Sequence, residues 1–375
     1  MTVVADALRG LKVSPHRIAD KSGLSLERVR RILAGDAPAI SEVRAIASGL
    51  RVPMHLLARH APPTAAADAG ILFRNTKRDD TSYDVTVEKV AAFVEAALEV
   101  LPTRESPPGW LAECRTEERT YEAADALAKR FRRLVYRDPD TDPATDLIAL
   151  LGSLEGVVVA RLDHSRYEGV SLMAGNYCFV FVSPRFAGRM LFTTGHELGH
   201  LLVHHLPGHA ALFERPADIG GFGRHSREEA FVDAFASCVL LPDVGLGRSL
   251  SVFRDLYPVR SDNLTDLELL LLARFYGVSF DVAARRCEDL GLLPAGMGQS
   301  LSKTLSKEYG SPEKRADALG LPARPAIPFP AVSPALAEAL SRGIGLGEVS
   351  IGWAADRLGL SIGEIMASNT RPLES

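Results

Sequence analysis

The sequence predicts an α+β fold made of an all-helical head, a central domain with a small sheet, and a helical C-terminal region. Apolar residues recur at helical spacing along most of the 375-residue chain. Two runs rich in β-branched and aromatic residues, at 157–162 and 177–182, interrupt that spacing, and we expect a strand at each. Segments rich in Pro and Asp divide the chain, which is long enough for two or three domains.

The composition excludes several classes of protein. Hydrophobic residues make up 46% of the chain and charged residues 24%, a balance typical of globular proteins and not of disordered or fibrous ones. No stretch approaches the roughly 18 consecutive apolar residues of a membrane helix. Charged residues follow the N-terminus too soon for a secretory signal. We therefore expect a cytoplasmic protein with no membrane partner.

The cysteines are too far apart to form a disulfide framework or a cysteine-based zinc site. We expect them to be small core residues. They are Cys114, Cys178, Cys238 and Cys287.

Changes in composition divide the chain into four segments. Residues 61–70 are small and Pro-rich, which is typical of a linker. We predict a head at 1–60, a linker at 61–83, a central domain at 84–292 and a C-terminal region at 293–375. Besides the two strands, apolar spacing predicts helices at about 84–134, 188–205, 226–240 and 265–290, and a last helical pair at about 333–368.

The head is basic and built of short helices. Residues 1–60 carry ten Lys and Arg against five Asp and Glu, although the whole chain has a net charge of −4. A concentrated positive charge attracts polyanions. Ser14 precedes Pro15 at a predicted helix start, and Ser25 can cap the next helix, which runs to Gly35.

A weak internal repeat with the pattern A-x-x-x-G-[LV]-S occurs at residues 19–25, 273–279 and 355–361. The Ala permits close helix packing, the Gly takes the positive φ of a turn, and the Ser caps the next helix. Each copy therefore predicts a helix–turn–helix corner. Only the first copy lies in a strongly basic segment, so we expect the other two to serve packing or partner binding.

The strongest motif is His196-Glu197-Leu198-Gly199-His200, within an apolar helical segment. Residues i and i+4 lie one turn apart on the same face of a helix, so both imidazoles can reach one ion at the roughly 2.0–2.1 Å of a Zn–N bond. Glu197 lies beside them, where its carboxylate can accept a proton from a water at the ion. The motif predicts a catalytic metal site.

A second helix supplies the best candidate for a third ligand. Glu229 lies in an amphipathic segment with two acids at i and i+4. The second acid, Asp233, can accept a hydrogen bond from a ligand histidine and fix its tautomer. We interpret the nearby His204, His205 and His209 as helix-end and loop residues.

These residues resemble the ImmA/IrrE metallopeptidases. The likeness covers about 145–292 and depends on the H-E-x-x-H helix with its Phe192-Thr193 lead, on Glu229-x-x-x-Asp233-x-Phe235-Ala236, and on Leu240-Leu241-Pro242. It implies a gluzincin-like domain that binds Zn²⁺, with Mn²⁺ as the alternative ion. It also implies ligand roles for His196, His200 and Glu229, and a catalytic-base role for Glu197. Members of the family often cleave or antagonise helix–turn–helix repressors, so the expected protein substrate is an XRE-type repressor.

Residues 14–57 resemble an XRE-type helix–turn–helix domain, which implies DNA binding. Its second helix, Leu26 to Leu33, would enter the major groove. Removing the apolar core positions leaves outward-facing candidates for DNA contact. These candidates are Ser25, Arg28, Arg30 and Arg31, with Glu27 beside them. Such domains also serve as docking or dimerisation modules, and the sequence leaves a homodimer open.

Together the two resemblances predict a zinc-dependent endopeptidase that also regulates transcription. Two alternatives remain at this point. In one, a non-proteolytic regulator uses the zinc domain to sense a metal or ligand. In the other, an antirepressor binds its partner without turnover. The substrate, the operator and the activating signal are not encoded in any motif.

Overall fold

The computed structural model describes residues 13–50, 85–203, 211–215, 226–257 and 263–369, together with residues 4, 5, 8, 57, 219 and 261. The predicted linker at 61–83 and three predicted loop histidines, His204, His205 and His209, lie outside these residues. The domain boundaries therefore stay predictions.

Three helices lie in the described part of the head: Pro15–Ser22 (α1), Leu26–Ala34 (α2) and Ile40–Leu50 (α3). The hydroxyls of Ser14 and Ser25 accept the first free backbone N–H groups of α1 and α2. The helices enclose a small apolar core of their own. Its members include Ile18, Val29, Ile32, Val43, Ile46, Leu50 and Leu57.

The rest of the described chain is a mixed α+β structure. Four helices precede the sheet: Val85–Val100 (α4), Gly109–Glu113 (α5), Tyr121–Val135 (α6) and Leu147–Ser153 (α7). The strands and the helix between them are Val157–Arg161 (β1), Gly169–Ala174 (β2), Tyr177–Val182 (β3), Ala187–Val203 (α8) and Leu212–Glu214 (β4).

Nine further helices follow β4 in the described residues. They are Arg227–Leu240 (α9), Asp243–Leu256 (α10), Asp266–Phe275 (α11), Phe280–Asp289 (α12), Met297–Tyr309 (α13), Pro312–Ala318 (α14), Pro334–Gly345 (α15), Ile351–Leu358 (α16) and Ile362–Asn369 (α17). The predicted last helical pair is thus three helices, because left-handed glycines at 347 and 359 break the segment twice.

The sheet has the strand order β1-β3-β2-β4. β1 pairs with β3 in parallel, and β2 is antiparallel to both of its neighbours. The sequence predicted β1 and β3, and their bounds agree to within one residue. It missed β2 and β4. Gly169–Ala174 has few β-branched residues, and a three-residue strand is too short to show a period of two.

Side chains alternate between the two faces of the sheet, and both faces are covered. Val157 and Val159 of β1 face the larger core, which contains α8 and α9, whereas Val158 and Ala160 face a second core. That second core is formed by α4 and the three C-terminal helices α15, α16 and α17. Helices α13 and α14 instead contribute to the larger core, although they lie beyond the predicted boundary at 292.

All three predicted corners are present. Gly23, Gly277 and Gly359 have φ angles of 71°, 71° and 64°, in the left-handed region that glycine adopts without strain. The serines that follow accept backbone N–H groups of the next helix, as predicted. In the second corner Arg286 is fully buried, so this corner is a packing element.

The four cysteines are free and buried, which confirms them as core residues. Within the described part of the chain, no single helix is long and apolar enough to cross a membrane. Helices α9 and α10 reach that length and composition only together, and they are bent by 51°.

Candidate metal centre

Helix α8 carries the H-E-x-x-H motif through the middle of the larger core. His196 and His200 lie one turn apart, and their side chains are 0% and 1% exposed. Their Nε2 atoms are 3.0 Å apart. Two buried imidazole nitrogens at this separation must share either a proton or a cation, since two lone pairs would repel each other.

Helix α9 brings the predicted third ligand to the same place. Ser226 caps the helix by accepting the backbone N–H of Glu229, which places this residue in the first turn. The Oε2 atom of Glu229 lies 3.4 Å from Nε2 of His196 and 3.7 Å from Nε2 of His200. The structure therefore brings together the three residues that the sequence proposed as ligands.

Two glycines allow the two helices to approach closely. A Cβ at Gly195 would lie 3.1 Å from Cβ of Ala236, and one at Gly199 would lie 3.0 Å from Cβ of Val232. Both positions face α9, one turn apart. Larger residues there would push Glu229 away from the histidines.

Gly199→Ala is therefore expected to weaken metal binding. The added methyl group overpacks the interface between α8 and α9, at a cost of about 1–3 kcal/mol in the free energy of unfolding. Zinc titration measures the loss of metal affinity, and thermal unfolding measures the loss of stability. The matched control is Gly247→Ala in α10, because a Cβ there meets no atom within 4 Å. Equal zinc affinity in the two variants would contradict this role for Gly199.

A fourth residue, Glu214 of β4, joins the cluster, and the sequence analysis missed it. Its Oε1 lies 3.6 Å from Nε2 of His200. A lone acid in a three-residue strand carries no motif, so local pattern gave no signal for it. Its position results from the pairing of β4 with β2, a long-range contact.

These four residues fit a single metal ion. One ligand atom from each of His196, His200, Glu214 and Glu229 lies within 4.8 Å of all the others. A tetrahedral ion with bonds of about 2.0–2.2 Å separates its ligand atoms by about 3.3–3.6 Å, close to the distances found here. Two imidazoles and two carboxylates suit Zn²⁺ and Mn²⁺.

Asp233 orients His196, the first of the proposed ligands. Its Oδ1 lies 2.8 Å from Nδ1 of His196. A proton on Nδ1 leaves the lone pair of Nε2 directed at the cluster, as in many metal-bound histidines. Burial lowers the pKa of His196, but hydrogen bonds to Asp233 and Glu229 outweigh it and raise the pKa to about 10. The surrounding carboxylates thus favour a positive charge on, or next to, the His196 ring.

Glu197 is fully buried, and the hydroxyl of Ser171 and the charge of His196 both favour its ionised form. Burial is the main cause that raises the pKa of Glu197, to about 8 in all, with the charge of His196 acting against it and that of Glu214 acting with it. Gly169 of β2 makes room for this side chain, because a Cβ there would overlap the carboxylate. Burying an ionised carboxylate is costly unless it is paired and hydrogen-bonded, so the position of Glu197 beside the cluster is the more informative.

Two buried arginines hold the C-terminal end of α9. Arg132 donates to the carbonyl of Val239 at 2.6 Å, and Arg286 donates to that of Leu241 at 3.0 Å. These carbonyls lack helical partners, and the arginines satisfy them. The sequence analysis did not single out Arg132, since its partners are distant in the chain.

The candidate DNA contacts are Ser25, at the N-cap of α2, and three arginines of α2 that differ in exposure. Arg28 binds both carboxylate oxygens of Glu42, at 2.7 and 2.8 Å, and Oδ2 of Asp36 at 3.3 Å. Arg31 also binds Asp36, at 2.8 Å, with 63% of its side chain exposed. Arg30 is exposed, and Ser25 caps α2 through its hydroxyl. Arg28 thus links α2 to α3 and is the least accessible of the three arginines.

Residues 156–288 match the family model Peptidase_M78, described as the IrrE N-terminal-like domain. The matched segment contains the sheet, α8 and α9, and therefore all four residues of the cluster. The match supports a metallopeptidase of the IrrE/ImmA type. A search of curated proteins gave no match to the chain. The helices of the head lie outside the matched segment.

Proposed function

We propose that this chain is a zinc-dependent endopeptidase in which His196, His200 and Glu229 hold the ion and Glu197 is the general base. The observation that carries the proposal is the buried cluster of imidazole nitrogens and carboxylates in a segment that matches a peptidase family. Mn²⁺ is the alternative ion.

The residues around the cluster have separate tasks in this proposal. A divalent ion held there supplies Lewis acidity, which polarises a carbonyl and lowers the pKa of water. Glu197 accepts a proton from the attacking water and delivers it to the leaving amine. Its raised pKa suits both steps near neutral pH. Asp233 holds the proton on Nδ1 of His196, so that Nε2 is the nitrogen from which a bound cation would displace a proton.

The proposed substrate is an XRE-type repressor, and the head is proposed to bind DNA. Three short helices around a separate core, two of them capped by serines, support a helix–turn–helix module. Binding of the head to DNA would concentrate the peptidase near repressors bound to the same region.

The test is to incubate the metal-loaded protein with the XRE-type repressors of its host. The proposal predicts a discrete repressor fragment that forms with the unaltered chain and not with Glu197→Gln. A repressor that stays intact under all metal conditions, while its DNA binding changes, would favour an antirepressor.

DNA binding is expected to depend on Arg30 and Arg31 more than on Arg28. Arg30→Ala and Arg31→Ala should each lower the slope of log affinity against log salt by about one unit, as loss of a phosphate contact does. Arg28→Ala should instead destabilise the head, because the ion pair between Arg28 and Glu42, which links α2 to α3, is lost. Mobility shifts with fragments from the region of its own gene measure the slopes. Affinity independent of salt would favour a docking role for the head.

One observation favours a second candidate function, a sensor that cleaves nothing. Structural zinc sites have four protein ligands, whereas catalytic sites keep one position open. Glu214 supplies a fourth candidate ligand. A chain that binds metal but hydrolyses no repressor, either unaltered or in any of the variants, would favour the sensor.

A further inference from the structure

We infer that Glu214 is a fourth metal ligand and that β4 is an internal inhibitory strand, which occupies the position that water and substrate need. The ligand assignment depends only on the cluster geometry. The inhibitory consequence rests on the proposed peptidase function.

The direction of the Glu214 side chain follows from strand alternation. Ala211 and Phe213 pack into the second core, on the far side of the sheet. Residues at odd and even positions of a strand point to opposite faces. Glu214 therefore points toward α8, where its side chain is 11% exposed and lies beside His200. The pairing of β4 with β2 therefore fixes the carboxylate of Glu214 next to the cluster.

Charge balance supports a ligand role. The charges of Glu214 and Glu229 offset that of a divalent ion held by two neutral imidazoles, and a buried charge is stable only when it is compensated. Among the residues that the structure describes, Glu214 and Glu229 are the carboxylates whose oxygens lie within 4.8 Å of a ligand nitrogen of each histidine. Glu197 lies on the same helix as the histidines but is not part of that set.

β4 also occupies the edge of β2 beside the general base. Gly169, Val170 and Ser171 of β2 pair with Glu214, Phe213 and Leu212. The backbone N–H of Glu168 donates to the carbonyl of Glu214 at 2.8 Å. Gly169 is the residue that lies against Glu197. A second extended peptide cannot use this stretch of the β2 edge while β4 remains there.

The strand is short enough to be displaced. Three register pairs hold it to β2, and short edge segments open at low free-energy cost. The contacts of Ala211 and Phe213 with the second core also hold the strand, and a bond from Glu214 to the ion would add to them. Displacement would free one position on the ion together with the N–H and C=O groups of β2, which suit an extended peptide. Substrate peptide and β4 then compete for one site.

The experiment compares the unaltered full chain with Glu214→Ala, and with Glu228→Ala as the control, since Glu228 is an exposed acid of α9. Each protein is loaded with Co²⁺ as a spectroscopic probe and followed by absorption. Hydrogen exchange of residues 211–215 is measured with and without metal. Repressor cleavage is measured separately with Zn²⁺.

The inference predicts that Glu214→Ala changes the Co²⁺ spectrum. It also predicts a metal affinity lower by at least about tenfold, because loss of a residue that only supports a ligand already costs about 10–100-fold. Metal should protect 211–215 from exchange in the unaltered chain and in Glu228→Ala, but not in Glu214→Ala. Cleavage by Glu214→Ala should be faster. If the alanine variant folds poorly, Glu214→Gln keeps the size and should show the same changes to a smaller extent.

An unchanged spectrum, with exchange of 211–215 that does not respond to metal in the unaltered chain, would overturn the inference. Failure of the peptidase proposal gives a different result. In that case the spectrum and exchange change as expected, but neither the unaltered chain nor Glu214→Ala cleaves any repressor.

Discussion

Glu197→Gln is expected to lower the rate of peptide hydrolysis by at least about 10²–10⁴-fold, the contribution of a positioned general base, while metal stays bound. The amide has the size of the carboxylate but accepts no proton. Glu197 is not one of the four clustered residues, so its loss leaves the ligand set intact. Cleavage rates and metal content are measured on the same preparations.

The matched control is Glu228→Gln, the same change at an exposed position of α9. It should keep the full rate. Because β4 is inferred to inhibit the unaltered chain, Glu197→Gln and Glu228→Gln are also compared in chains that carry Glu214→Ala. Equal rates for Glu197→Gln and its parent in both backgrounds would remove Glu197 from the chemistry.

The double variant His196→Ala, His200→Ala is expected to lose its metal. It removes both nitrogen ligands and leaves only carboxylates, which bind Zn²⁺ poorly without imidazole. The unaltered protein should gain about 2.7 kcal/mol in the free energy of unfolding at a free zinc concentration 100 times its dissociation constant. The double variant should gain nothing. Elemental analysis and thermal unfolding with and without zinc measure both effects.

The control for this variant is His16→Ala, which removes an exposed histidine of α1 in the head. It should bind zinc as the unaltered chain does. Full metal occupancy in the double variant would place the ion elsewhere and end the assignment.

Local patterns in the sequence predicted the local features of the structure. The three glycine corners, the serine caps and the strands β1 and β3 each depend on residues close together in the chain. The proposed ligands on α8 were identifiable because i and i+4 lie on one helix face. Glu229 and Asp233 were identifiable for the same reason, as a pair on the next helix.

Features that depend on long-range contacts were not predictable in this way. Glu214 reaches the cluster through the pairing of β4 with β2, and Arg132 acts on a helix end far along the chain. Gly169 looks like an ordinary turn residue until Glu197 is found against it. Arg28 has the charge and the position on α2 expected of a DNA contact, but its guanidinium is bound by Glu42 of the next helix.

The most direct test of the central claim is the mass of the products formed from a repressor in water enriched in ¹⁸O. Hydrolysis at the proposed centre predicts two fragments whose masses sum to that of the repressor plus one water, with ¹⁸O in the new carboxylate. They should form with the metal-loaded unaltered chain or Glu214→Ala, and not with Glu197→Gln. An intact repressor in the presence of fully metal-loaded Glu214→Ala would contradict the account.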